Sequence, residues 1–214
     1  MNAAEILHSL YFDEDADLSI IQKKSVAVIG YGNQARAHAL NLKDSEVKVV
    51  VGLRGESKSI DRANNDGLDV SSISDAVKSS DVIVVLVPDQ VMAEVYIRSI
   101  RDNLTEGSML VFAHGYNIHY KLIIPPENID VTMAAPSGAG SVVRSEYTKG
   151  SGIPNLLAVD QDYTGKAFDT ILSYSKAIGG TRKVAFKSTF KEETETDLFG
   201  EQTVLCGGLV ELIK

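Results

Sequence analysis

The sequence has no tryptophan, a single cysteine and an aromatic content of only 7%. One cysteine, Cys206, cannot close an internal disulfide, so a reducing, cytoplasmic setting is expected. Its place in the apolar run Thr203-Val204-Leu205-Cys206 reads as core packing. Positive charge is in deficit as well: 21 Lys and Arg stand against 29 Asp and Glu, a net charge of -8. Nucleic acids and anionic membranes are bound through clustered basic residues, so neither is expected as a partner. No apolar run reaches the roughly 18 residues of a membrane-spanning helix. The first 18 residues carry Glu5, Asp13, Glu14, Asp15 and Asp17, the wrong sign for a signal or transit peptide. The remaining composition, 44% hydrophobic and 23% charged in 214 residues, supports one well-buried domain and a remainder too short for a full second one.

From residue 25 onward short apolar runs alternate with helical stretches. Residues 25–30, 47–52, 81–87, 108–113, 130–135 and 155–159 read as strands, and 33–42 as a helix. Continuous Val, Ile and Leu without polar alternation is the pattern of strands covered on both faces. Alternation with helices calls for crossover connections, hence an α/β, doubly wound, Rossmann-type, mostly parallel sheet. The last segment differs. Thr189 and Glu192 have capping-box spacing, so a helix is expected to begin there and run through Leu198, Phe199, Val204, Leu205, Leu209, Leu212 and Ile213. Gly207-Gly208 either interrupts that helix or marks close packing. Its apolar face needs cover from a second domain or subunit. The expected division is residues 1–188, the binding domain, and 189–214, the start of an all-helical domain.

Gly30-Tyr31-Gly32-Asn33-Gln34-Ala35 follows the first buried strand and opens a helix, fitting G-x-G-x-x-G/A. The first glycine permits a tight turn, the second admits a pyrophosphate against the backbone, and the small third residue lets helix pack on strand. Helix-start N–H groups then face the anion. At the tip of the second strand an NAD site usually carries Asp or Glu. Here stand Gly52-Leu53-Arg54, then Ser57, Lys58 and Ser59. A guanidinium fork and two hydroxyls suit a 2′-phosphate, so NADP(H) is the expected ligand, with Glu56 the one charge in the turn that would repel it. Asp89, after Val87-Pro88, reads as a helix cap or as a cofactor contact.

Two further constellations carry chemistry. His114 follows a buried strand and precedes Gly115, so its side chain is expected in the ligand crevice. Glu193, Asp197 and Glu201 are spaced by four, which on an α-helix stacks them along one face about 6 Å apart. Such a stripe is either solvated or bound to a hard cation such as Mg²⁺, with water, substrate or other groups completing the octahedron.

Taken together, Gly30-Tyr31-Gly32-x-Gln34, Val51-Gly52-Leu53-Arg54, Ala113-His114-Gly115-x-Asn117-Ile118-His119 and the block from Phe190 to Gln202 resemble ketol-acid reductoisomerase in its short-chain form. The resemblance runs from about residue 5 to the last residue. It implies an NADPH- and Mg²⁺-dependent enzyme of branched-chain amino-acid biosynthesis, which converts 2-acetolactate to 2,3-dihydroxyisovalerate by alkyl migration and then hydride transfer. It assigns Tyr31, Gly32, Asn33 and Gln34 to the pyrophosphate, and Arg54, Ser57 and Ser59 to the 2′-phosphate. Asp89, Gln90, Val91, Met92 and Gly140 go to the rest of the cofactor. His114 becomes the catalytic histidine, and Asp197 and Glu201 the metal ligands; Glu193 receives no ligand role. The family's full-length form is expected to be a homo-oligomer, and these 214 residues alone a truncated, inactive piece. Two departures stand out. Ser137 occupies the place of a family lysine, and Ala35-Arg36 replaces the usual Gly-His. The alternative is a non-catalytic NADP(H)-binding module related to the family. A β-hydroxyacid dehydrogenase is a weaker candidate, opposed by the block from Phe190 to Gln202.

Overall fold

A computed structural model of the chain describes residues 9–213, with the side chains of Glu201, Gln202, Cys206 and Val210 outside the description. The elements run β1 (Leu10–Tyr11), α1 (Ser19–Gln22), β2 (Ser25–Ile29), α2 (Asn33–Asp44), β3 (Lys48–Leu53), α3 (Ile60–Asn65), β4 (Asp69–Ser72), α4 (Ile73–Lys78), β5 (Val82–Val85) and α5 (Asp89–Val95). They continue with β6 (Met109–Phe112), α6 (Tyr116–His119), β7 (Asp130–Pro136), α7 (Gly140–Thr148), β8 (Asn155–Gln161), α8 (Ala167–Ile178), β9 (Ala185–Lys187) and α9 (Phe190–Asp197). After α9 the helix goes on with i→i+5 bonding over Leu198–Gly208 and ends as α10 (Leu209–Ile213).

Among the described residues the strands form one sheet in the order β1-β9-β8-β7-β6-β5-β2-β3-β4. All pairings are parallel except β1 with β9 and β7 with β8. The expected strands are present; the sheet adds the edge strands β1 and β4 and the short β9 between β1 and β8, none of which carries a long apolar run. The buried residues of β2, β5 and β6 alternate between two cores, as side chains of period 2 must. Val26, Val28, Val82, Val84, Met109 and Val111 face one core, which α2 and α8 cover. Ala27, Ile29, Ile83, Val85, Leu110 and Phe112 face the other, covered by α4 and by Met92, Ile118 and Phe190 from α5, α6 and α9. Helices on both faces are why those strands show no polar alternation.

The order reverses between β2 and β5: the chain leaves β2 for β3 and β4 on one side, then returns to β5 on the other. Crossovers diverging from neighbouring strands leave a crevice at their carboxyl ends. No helix among the described residues is long and apolar enough to cross a membrane.

The terminal helix corrects one expectation. Thr189 is the N-cap and its hydroxyl accepts from the Glu192 N–H at 3.0 Å, but the Glu192 carboxylate accepts from the Ser188 hydroxyl rather than completing the box. Gly207-Gly208 does not stop the helix; i→i+5 bonding gives way to i→i+4 just after it. Phe199, Leu205, Leu212 and Ile213 are exposed, so the apolar face is uncovered as expected.

Candidate active site

A cleft of about 1000 Å³ opens at the reversal point, between the turn after β2 and the residues that follow β5, β6 and β7. Gly30 to Gln34 form one wall. Gly30 has φ +98°, and a Cβ there would lie 2.7 Å from the Leu86 carbonyl oxygen, so only glycine serves. Gly32 caps α2 in extended conformation, with open space where a Cβ would be. The first intrahelical bond is Arg36 N–H to the Gly32 carbonyl, which leaves the N–H groups ahead of it as the free donors of a helix start. Ala35 is buried against the sheet, the place for a small residue.

Tyr31 lines the cleft, while it is largely buried and its hydroxyl donates to Asp66 Oδ2 at 2.7 Å. Burial, with the Asp66 carboxylate beside it, raises the phenol above its ordinary value. Arg36, which departs from the usual family residue, donates to the same carboxylate through Nε at 2.7 Å and Nη2 at 2.8 Å. These bonds hold the Asp66 carboxyl down at about 2. The Gln34 amide crosses to the loop after β7, donating to the Gly138 carbonyl at 2.8 Å. Gly140 lies behind that contact: a Cβ would sit 2.6 Å from the Gln34 nitrogen, so glycine lets α7 close on the start of α2.

Asp89, Gln90 and Met92 line the cleft, whereas Val91 is exposed and outside its lining. Asp89 is not a helix cap. It is the first residue of α5, and its carboxylate accepts from Asn117 Nδ2 at 3.0 Å. Burial raises the Asp89 carboxyl, and the Glu193 and Asp197 charges add to this against the opposing effects of His114 and Asn117. Arg54, Ser57 and Ser59 lie in the turn between β3 and α3, outside the cleft lining. Arg54 is exposed and makes no ion pair among the described residues.

Across the cleft, His114 leaves the end of β6 and is held by a residue from the far end of the chain. Its Nδ1 is 2.9 Å from Glu193 Oε1, and the other oxygen of that carboxylate accepts from the Gly115 N–H at 2.7 Å. A carboxylate only accepts, so Nδ1 carries the proton and Nε2 is the free nitrogen of the neutral ring. Burial works against the charged imidazolium, but Glu193, Asp197 and Asp89 together outweigh it and raise His114 above its usual value. Gly115 makes the docking possible: a Cβ would lie 2.6 Å from the Phe190 carbonyl and 3.1 Å from Glu193 Oε2.

Glu193 is thus a positioning residue that four-residue spacing placed in a carboxylate stripe without a role. Its burial, with only 4% of its surface exposed, was the missing signal, and no local pattern carries it. Asp197 Oδ2 lies 3.8 Å from His114 Nδ1, and one ligand atom each of His114, Glu193 and Asp197 fall within 4.8 Å of one another. Glu193 is occupied by its two hydrogen bonds, while the Asp197 carboxylate lines the cleft with no hydrogen bond among the described residues. A hard cation's preference for carboxylate oxygen fits that donor. The Glu201 side chain lies outside the described residues, and i→i+5 bonding from Leu198 onward removes the α-helical spacing from which its place beside Asp197 was argued. Ser137 is exposed and does not line the cleft; its N–H donates to the Pro154 carbonyl.

Comparison with known proteins shows the family. Residues 20–184 match the family model described as acetohydroxy acid isomeroreductase, NADPH-binding domain, and residues 190–214 the one described as ketol-acid reductoisomerase, C-terminal domain. The chain is 54% identical over 205 residues to a ketol-acid reductoisomerase (NADP(+)) of Clostridioides difficile (strain 630), covering 96% of this chain and 62% of that protein. A solved NADH-preferring ketol-acid reductoisomerase from an uncultured archean superposes with a TM-score of 0.91 at 44% identity, covering 95% of this chain and 63% of that one. A semialdehyde dehydrogenase NAD-binding protein from Cupriavidus necator, 19% identical with a TM-score of 0.70 over 89% of this chain and 71% of its own, shares the fold alone. The chain therefore spans less than two thirds of the length of these reductoisomerases, and it belongs to the ketol-acid reductoisomerase family.

Proposed function

We propose that this chain supplies the cofactor-binding half and part of the metal site of an NADPH- and Mg²⁺-dependent ketol-acid reductoisomerase acting on a 2-acetolactate-type substrate. The observation that carries the reading is the placement of His114, Glu193 and Asp197 across one cleft from the Gly30–Gln34 turn. The domain boundary at 188/189 is supported by the Thr189 cap and by the family models, which end at 184 and begin at 190. A cytoplasmic location suits the lone cysteine, and the uncovered apolar face of the last helix supports association in the longer family form.

In this reading the free N–H groups at the start of α2 hold the pyrophosphate, and the nicotinamide lies near Asp89 and Met92. Asp197, with Glu201 as the family resemblance alone assigns it, would hold Mg²⁺, which when bound polarises the ketone and hydroxyl oxygens of the substrate. Glu193 fixes the tautomer of His114 and leaves Nε2 to take or return the proton of a substrate hydroxyl. Alkyl migration would then be followed by hydride transfer from the cofactor.

The choice between NADPH and NADH is not settled by family, because the 44% identical relative is described as NADH-preferring. It rests on the turn after β3. Calorimetry is expected to show NADPH binding at least about tenfold tighter than NADH, and Arg54→Ala to remove most of the difference, about 1.5–3 kcal/mol for hydrogen bonds to a charged phosphate. Equal affinities in the parent chain would overturn the 2′-phosphate assignment. A non-catalytic NADP(H)-binding module is favoured by one observation: exposed Ser137 brings no charge to the cleft. Mg²⁺-dependent oxidation of NADPH with 2-acetolactate in the family-length protein supports the enzyme; tight NADPH binding without turnover there supports the module.

A further inference from the structure

The turn at residues 54–59 has little of its own to hold it in place. It leads into α3, a six-residue helix that buries one side chain, Ala63. Arg54 is exposed, and among the described residues Ser57 and Ser59 bond only within the turn and to the start of α3: the Ser57 N–H donates to the Arg54 carbonyl, the Ser59 N–H to the Ser57 hydroxyl at 3.3 Å, and the Ser57 and Ser59 carbonyls accept from the Ile60 and Ala63 N–H groups. Ile60 packs against the core at the near end of α3, and a polar anchor lies at its far end. Asp66 is its C-cap, and the Asp66 N–H donates to the Arg62 carbonyl. The Asp66 carboxylate accepts two parallel bonds from Arg36, at 2.7 and 2.8 Å, and one from the Tyr31 hydroxyl at 2.7 Å. Lys43 seals the same corner by donating to the Asp66 and Gly67 carbonyls at 3.2 and 2.6 Å.

We infer that Asp66 is a positioning residue for cofactor selection: by clamping Arg36 and Tyr31 it fixes turn 54–59, and hence the 2′-phosphate contacts, against the dinucleotide turn. Tyr31 belongs to that turn and Arg36 to the first turn of α2, so the clamp ties the two ends of the cofactor site through one carboxylate. A bidentate Arg–carboxylate pair is directional, which suits it to setting a register. This inference rests on the NADP(H) reading above.

The test is Asp66→Asn, which keeps volume and one acceptor for Tyr31 but turns an amide toward the Arg36 guanidinium. Affinities for NADPH, NADH, adenosine 2′,5′-bisphosphate and 5′-AMP are measured by calorimetry. The two ligands bearing a 2′-phosphate are expected to bind about tenfold more weakly, and the two lacking it to stay within about twofold. Arg36→Met, which removes the other half of the pair, should repeat the pattern, and Asp66→Glu should restore part of it. Circular dichroism and melting confirm that each variant is folded; should Asp66→Asn not fold, Arg36→Met decides. Equal weakening of all four ligands, or unchanged preference in a folded variant, overturns the inference while leaving the cofactor reading standing. If the parent chain shows no preference for the 2′-phosphate ligands, the cofactor reading falls and this inference with it.

Discussion

At the scale of single residues, the site depends on which groups are left free once structural hydrogen bonds are counted. Glu193 uses both oxygens, one for His114 Nδ1 and one for the Gly115 N–H. Glu193→Gln keeps the shape but places an N–H₂ where one acceptor stood. With the Gln oxygen on Gly115, Nδ1 must become an acceptor and the proton moves to Nε2. Nitrogen NMR of His114 is expected to report the Nδ1–H tautomer in the parent and Nε2–H in the variant; an unchanged tautomer would contradict the positioning role. His38 is a second titrating group, fully buried, with Nδ1 at 2.7 Å from the Tyr174 hydroxyl and Nε2 without a hydrogen-bond partner among the described residues. Burial pushes it down to about 4 from an ordinary 6.5. The folded chain therefore keeps His38 neutral while the unfolded chain takes up a proton. Its share of stability is complete above pH 6.5 and is lost as pH falls toward 4, by about 3 kcal/mol at most. Melting of His38→Phe should depend less steeply on pH across that window than melting of the parent; identical slopes would show that His38 does not carry the effect.

At the scale of elements, two kinds of segment differ in how legible they are. The strands β2, β5 and β6 announce themselves because both faces are covered and nearly every residue is apolar. β4 and β9 do not: Asp69–Ser72 and Ala185–Lys187 are short and partly exposed, so only their pairing partners make them strands. The start of α9 is legible through Thr189, whose hydroxyl satisfies a helix-start donor. Where α9 docks is not, because the deciding residue is Gly115 on a distant turn. Gly115→Ala is expected to push α9 away from β6 at a cost of about 1–3 kcal/mol, lowering Tm by about 3–9 °C, and to loosen the His114–Glu193 bond. An unchanged Tm with the His114 tautomer preserved would show that α9 accommodates the methyl group.

For the whole molecule, the reversal of strand order between β2 and β5 brings the dinucleotide turn, Asp89, His114 and Asp197 to one edge of the sheet. The fold class, the glycine-rich turn and the block from Phe190 to Gln202 were readable because each is a local pattern: strand period, turn geometry, capping chemistry and contiguous motif. The antiparallel placement of β8, the pairing of Glu193 with His114 across 79 residues and the clamp of Asp66 on Arg36 across 30 were decided only by tertiary structure. Local sequence sets backbone preferences within a few residues. Which charges meet, which carboxylates are already engaged and which remain free depends on distant segments packing against one sheet, and no spacing along the chain records that.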